Sequence, residues 1–237
     1  MMEMPSEAEL FKAVDATWPA YSVQEIDGWV IREGRGGGQR VSAASGFGDI
    51  VVAEAAMEAL GQDRLFMIRG DQAELDAELA DRGYVLKDPV DLLVGDSAAL
   101  SDGFKPKLDA IFAQFPMPIL AEIWAEGGIG PGRLDVMRRT DCPKTFLMGR
   151  IDARASAAAF VAASDGICMA HAVEVLIRER RRGVAERMMR AGAWWGLRHG
   201  AGTFCVLTTQ ANTGAQTLYR KMGMETACRY HYRIKVS

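Results

Sequence analysis

Residues 173–189 read VEVLIRERRRGVAERMM, and the fold turns on where this stretch divides. Its first part closes a run from Cys168 to Ile177 that is rich in β-branched and apolar residues and predicts a strand. From Gly183 onward Val184, Met188, Ala191 and Trp195 recur at 4-3-4 spacing, which predicts a helix to His199 with Gly200 as its stop. Arg180-Arg181-Arg182-Gly183-Val184-Ala185 at the joint has the form R-x-x-G-x-A. A helix start directly after a strand offers free backbone N–H groups and the positive end of the helix dipole, which together favour an anion. Gly183 permits close approach of the backbone, and the small Ala185 leaves room. The plainer reading is a solvated basic turn over Arg178–Arg182.

Working outward, Thr145–Ile151 and Ala157–Ala163 read as strands upstream, with turns at Asp152-Ala153 and Asp165-Gly166. Downstream come a strand at Thr203–Thr209, a helix at Thr213–Met222 ending at Gly223, and a last strand. In that strand Cys228, Tyr230, Tyr232, Ile234 and Val236 share one parity. Helices are predicted over Lys107–Gln114, Ile119–Glu126 and, past a Gly-rich break at GGIGPG, up to Arg139. The first half shows a helix opened by a Ser6/Glu9 capping box and broken at Trp18-Pro19. Then follow a strand at Trp29–Arg32, a hairpin tip at Gly34–Gly38, a helix at Ile50–Leu60 and a strand at Leu65–Ile68. A helix at Asp71–Arg82, with Asp71 and Glu74 at capping-box spacing, and a strand at Val90–Val94 complete it. The small, polar Gly95–Gly103 marks a boundary between residues 1–100 and 101–237. Gly36-Gly37-Gly38 is no phosphate loop, since no Gly-Lys-Ser/Thr follows.

A chain of 237 residues, 49% hydrophobic and 25% charged with a formal net charge of −3, is that of a globular protein rather than a disordered tail or a basic arm. The acidic balance and the lack of an extended basic face speak against nucleic acid. No apolar run approaches the ~18 residues of a membrane helix, and MMEMPSEAEL has no signal-peptide core, so a cytoplasmic protein with no membrane partner is expected. Cys142, Cys168, Cys205 and Cys228 lie too far apart for a disulfide framework. Cys168/His171 and Cys228/His231 have zinc-like spacing, but strand alternation puts residues three apart on opposite faces, so no metal is expected.

The segment around Arg180–Ala185 resembles the pyrophosphate motif of the GNAT N-acetyltransferase superfamily. The resemblance continues through TFCVLTT (203–209) and NTGAQTLYRKMGM (212–224), which is similar to N-x-x-A-x-x-L-Y-x-x-x-G-F with Met224 at the aromatic position. GWVIREGRGGGQRVSAAS (28–45) and RYHYRI (229–234) resemble bacterial tandem GNAT proteins, with Ser42-Ala43 standing where Asn-Ser is expected. The resemblance implies an α/β (α+β) GNAT fold: a mixed, mostly antiparallel central sheet flanked by helices, preceded by a smaller, degenerate GNAT-like half. That first half has no R-x-x-G-x-G/A and is expected to bind no cofactor.

What the resemblance implies for function is transfer of an acetyl group from acetyl-CoA to a primary amine, carried by a small molecule or a peptide, by a monomer or homodimer without a metal. The backbone of Arg180, Arg181, Arg182, Gly183, Val184 and Ala185 would hold the pyrophosphate, and main-chain groups of Val173–Val175 the pantetheine arm. Tyr219 is the candidate general acid for the leaving thiolate, with a tyrosine packed beside Leu218 as the alternative. Glu174, the only carboxylate in its strand, is the candidate base, with a solvated or ion-paired glutamate as the alternative. His171, expected on the opposite face, ranks behind it. Asn212 holds cofactor or caps the following helix, or both. A non-catalytic acyl-CoA sensor with the same fold is the other function class left open.

Overall fold

A computed structural model describes residues 4–106 and 110–235. The first half runs α1 (Glu7–Thr17), β1 (Ser22–Ile26), β2 (Trp29–Glu33), β3 (Ser45–Gly46), α2 (Ile50–Ala59), β4 (Leu65–Arg69), α3 (Ala73–Asp81), β5 (Val85–Asp96) and α4 (Ser97–Ser101). The second runs β6 (Ala110–Ala113), α5 (Pro118–Glu126), α6 (Pro131–Arg139), β7 (Lys144–Ile151), β8 (Arg154–Ser164), β9 (Ile167–Val175), α7 (Val184–Arg198), β10 (Thr203–Thr209), α8 (Thr213–Lys221) and β11 (Glu225–Ile234). Strands β1–β3 form a small antiparallel sheet; the other eight form one sheet in the order β4-β11-β5-β10-β9-β8-β7-β6. Among the described strands of this sheet only β9 and β10 pair in parallel, because the α7 crossover joins them. This is the expected mixed, mostly antiparallel sheet flanked by helices.

The order contains an exchange. β4-α3-β5 and β10-α8-β11 are two similar strand–helix–strand units, and each leaves its strands apart. β5 enters between β10 and β11, and β11 enters between β4 and β5. Residues on either side of Gly95–Gly103 therefore share one sheet. Gly95 and Asp96 finish β5, and the Asp96 carboxylate accepts from the Ala99 amide (2.8 Å) to start α4. Asp91, 2% exposed in the middle of β5, accepts from Gln210 Nε2 (2.8 Å) and Arg229 Nε (3.1 Å), with Arg220 at 3.5 Å. Three side chains of the second half thus answer one buried charge of the first.

Helices cover both faces. α1, α5 and α6 pack on one, over Met169, Phe160, Val90 and Tyr230; α4, α7 and α8 pack on the other, over Val161, Phe204 and Leu147. α2 and α3 close the β4 end over Phe66 and Ile68. α7 lies unusually close to the sheet, since a Cβ on Gly196 would stand 2.5 Å from that of Cys168. Each Cys-x-x-His pair is split across the sheet: Cys168 faces α7 while His171 faces α1, and Cys228 faces α1 while His231 meets Asp76 of α3.

Some local expectations are corrected. Lys107–Gln114 was expected to be helical, but Ala110–Ala113 is an edge strand paired with Phe146–Gly149 of β7; residues 107–109 lie outside the described residues, as does Val236. An apolar AIFA run beside an open sheet edge gains more from pairing than from an isolated turn of helix. The Ser6/Glu9 capping box forms, whereas the Asp71/Glu74 one does not: α3 starts after Gln72, whose side chain accepts from the Arg69 amide (2.9 Å) and donates to the Gly46 carbonyl (2.8 Å). Gly34–Gly38 opens the long connection between the antiparallel neighbours β2 and β3 instead of forming a tight hairpin tip. The β1–β2 reversal falls at Asp27-Gly28, and Gly37 packs against Val136 of α6.

The exchange is tied down by Asp76 of α3, which accepts from Arg233 Nε (2.6 Å) and NH2 (3.0 Å) and from His231 Nε2 (2.7 Å), both on β11. The Arg233 hydrogen bonds, opposed in part by burial and joined by His231, hold this carboxyl down at about 2, below its ordinary 3.8. A depressed carboxylate stabilises the fold above its unfolded value and loses that contribution as pH falls toward the folded one. Asp76→Asn is expected to lower urea stability by about 1–2 kcal/mol at pH 7. The gap from wild type should close between about pH 5 and pH 2; a gap independent of pH would refute the assignment.

Candidate active site

β9 and β10 pair only from Ile167–Ala170 to Thr203–Val206 and then part. β10 continues along β5 and β9 along β8, so a V-shaped opening begins at His171, and from there to Val175 the edge of β9 facing β10 has no strand partner. The parting coincides with a β-bulge. His171 stands opposite Phe160 and Glu174 opposite Ala158, so Ala172 and Val173 share the one position facing Ala159. Ala172 takes φ 49, and its carbonyl accepts from Trp124 Nε1 of α5 (2.8 Å).

The extra residue changes which side chains meet. Val173 and Val175 pack toward α7. Glu174 and His171, expected on opposite faces, both lie on the α1/α5 face, since their partners Ala158 and Phe160 belong to the same cluster there. Glu174 sits against Gly127, where any Cβ would collide with it, in a cavity of about 210 Å³ also lined by Glu126, Leu176, Ile177 and Arg180. It is ion-paired: Arg180 NH2 stands 3.2 Å from Oε1, while Arg180 Nε donates to the Val175 carbonyl (3.1 Å).

At the mouth of the opening, Gly183 leads α7 in the left-handed region (φ 77), and no side chain caps the helix. The first-turn amides from Val184 onward therefore lack intrahelical acceptors and carry the positive end of the dipole. α2, which links β3 to β4 as α7 links β9 to β10, begins differently: Asp49 caps it, accepting from the Val51 amide (2.9 Å) and placing a carboxylate where an anion would otherwise sit. The arginines before α7 are not a free basic surface. Arg178 pairs with Glu126 (3.0 Å), and Arg182 with Asp152 and Glu179 (2.6 Å each); Arg181 is exposed, with φ 65.

Tyr219 of α8 is 5% exposed among the α7-side apolar residues, and burial pushes its phenol up to about 12, so it remains protonated at neutral pH. Its hydroxyl makes no hydrogen bond to another described residue. Asn212 caps α8, its Oδ1 accepting from the Ala215 amide (3.1 Å). Gln216, one turn before Tyr219, was missed by sequence reasoning: it is 8% exposed and neither amide atom has a partner among the described residues. Its signal was a glutamine three residues before the tyrosine on the same helix face.

The opposite face holds a second group, in which sequence reasoning weighed His171 but missed its partner Arg40. His171 is 4% exposed, stacked near Phe160 and Trp18. Its Nδ1 lies 3.1 Å from Arg40 NH1. A guanidinium can only donate, so Nδ1 accepts, and Nε2–H donates to Thr17 Oγ1 (2.9 Å), whose hydroxyl passes on to the Ala13 carbonyl (2.6 Å). Burial, then the Arg40 charge, pushes His171 well below 6.5. Arg40 had been read only as part of a glycine-rich segment.

Residues 121–224, from within α5 to the turn between α8 and β11, match the model of the Acetyltransferase (GNAT) family. Over 236 residues the chain is 23% identical to the uncharacterized N-acetyltransferase YobR of Bacillus subtilis (strain 168), covering 93% of this chain and 95% of that one. Among solved structures it resembles a GCN5-related N-acetyltransferase from Kribbella flavida, with TM-score 0.71, 16% identity and coverage of 99% and 97%. It also resembles a tandem GNAT protein from the clavulanic acid biosynthesis pathway, with TM-score 0.57, 11% identity and coverage of 77% and 67%.

A histidine held neutral by the fold must be protonated in the unfolded chain below about 6.5, so stability is complete above that value and is lost as pH falls beneath it. Wild type is expected to lose about 1 kcal/mol more than His171→Gln between pH 7.5 and 5.5, measured by urea unfolding. Equal losses would contradict a neutral His171.

Proposed function

We propose, from the premise that residues 121–224 form a GNAT acetyltransferase domain, that the protein moves an acetyl group from acetyl-CoA to a primary amine by direct attack. The observation that carries this reading is the uncapped, glycine-led start of α7 at the mouth of the β9/β10 opening. Acetyl-CoA supplies the activated thioester. The expectation for Arg180 is corrected, because its amide already donates to the Ile177 carbonyl (3.3 Å); the amides from Arg181 to Ala185 would hold the pyrophosphate, and the edge of Val173–Val175 that no strand pairs would hold the pantetheine arm. Asn212 frames the far side by capping α8.

Tyr219 lies on the α7/α8 side and stays a proton donor to about pH 12, which suits protonation of a leaving thiolate. Glu174 lies on the other side and is the candidate acceptor of the amine proton. Its pairing with Arg180 is compatible with that role, because an anion held at the α7 start competes for the same guanidinium. The first hundred residues are read as a degenerate GNAT-like half fused to residues 101–237 through the exchanged strands, with Asp49 occupying its helix start.

Calorimetric titration with acetyl-CoA should show saturable one-to-one binding that Gly183→Trp abolishes; absence of binding by wild type would refute the reading. With any accepted amine, Tyr219→Phe should reduce kcat about 100-fold while leaving acetyl-CoA affinity unchanged. Any alkaline fall in the wild-type rate below pH 10 should persist in that variant, since Tyr219 titrates far above it. An unchanged kcat would remove Tyr219 as the acid.

A further inference from the structure

Arg40 carries a charge that no described carboxylate answers. It lies in the 3-10 turn Gln39–Val41 between β2 and β3, half-buried, and reaches over the sheet to the first residue of β9 beyond its pairing with β10. NH1 meets His171 at 3.1 Å, the Trp18 ring stands 5.9 Å from the guanidinium carbon, and Nε is buried with no partner. The titratable groups around it are His171 from β9, Tyr230 and Tyr232 from β11 and Cys205 from β10. Burial lowers the histidine and raises the Tyr232 phenol and the Cys205 thiol, so none of these three supplies a negative charge at pH 7. A partly desolvated cation without a counter-ion is unfavourable, and a carboxylate brought to it regains that loss.

Its position gives the charge a use. The bulge at Ala172 sets Glu174 on the same face as His171, about 10 Å along the strand, and Arg40 NH1 rests on His171. One end offers a carboxylate to an amine, and the other a guanidinium to an anion.

We propose that Arg40 anchors a carboxylate of the acceptor, so that the amines acetylated here are amino-acid-like compounds rather than simple cationic amines. This rests on the acetyltransferase reading for its chemistry, but binding tests it without turnover. Leucine, phenylalanine and lysine, each with its amide and its decarboxylated amine, would be titrated by calorimetry into the full chain saturated with coenzyme A. At least one acid should bind about tenfold or more tighter than its amide and amine. Arg40→Gln should abolish that preference and Arg40→Lys restore part of it, with acetyl-CoA affinity unchanged in both as evidence of intact folding. Equal affinity within every set, no binding of any acid, or a preference that survives in Arg40→Gln would overturn the proposal. Failure of wild type to bind acetyl-CoA would instead strike the acetyltransferase reading, and the acid-over-amide comparison repeated on the free chain would still decide the role of Arg40.

Discussion

The structure depends on β5 being hydrogen-bonded along both edges by strands of the other half. On one side it carries β10 from Val90 to Asp96, and on the other it carries β11. β10 needs that support, because β9 abandons it after Val206, and a strand losing one neighbour keeps its course only if the other holds. Asp91 reinforces the arrangement, since its buried carboxylate is satisfied only when Gln210 and Arg229 are in place. The opening that makes a site possible is thus held from behind by residues of the first half.

The same opening sorts chemistry onto two faces. Toward α7 and α8 lie the uncapped helix start, Val173, Val175 and the buried phenol of Tyr219. Toward α1 and α5 lie Glu174, His171 and Arg40. One inserted residue, Ala172, held through its carbonyl by Trp124, decides that Glu174 joins the second group rather than facing away from His171.

Much of this was legible locally. The R-x-x-G-x-A joint, the spacing of α7, the helix carrying Tyr219 and the alternation of β11 are signals contained in a few neighbouring residues, and the structure forms each element near its expected place. What was not legible depends on distant partners. The parity of Glu174 was misread because a bulge in an apolar strand leaves no mark in composition. Ala110–Ala113 became a strand because β7 offered it an edge. Arg40 lay hidden in a glycine-rich run because its meaning comes from His171, which a different part of the fold brings to it. The strand exchange could not be read at all, since either partner would satisfy the same alternating pattern.

That exchange also sets a schedule for biosynthesis. β4 and β5 leave the ribosome early, with a strand-wide gap between them that only β11 fills, and β11 is synthesised after every other strand of the sheet. At about 5–20 residues per second, on the order of ten seconds pass between β5 and β11. For that interval the nascent chain displays unpaired apolar edges, including Leu92 and Val94, the kind of surface that chaperones bind and that neighbouring chains on a polysome can capture.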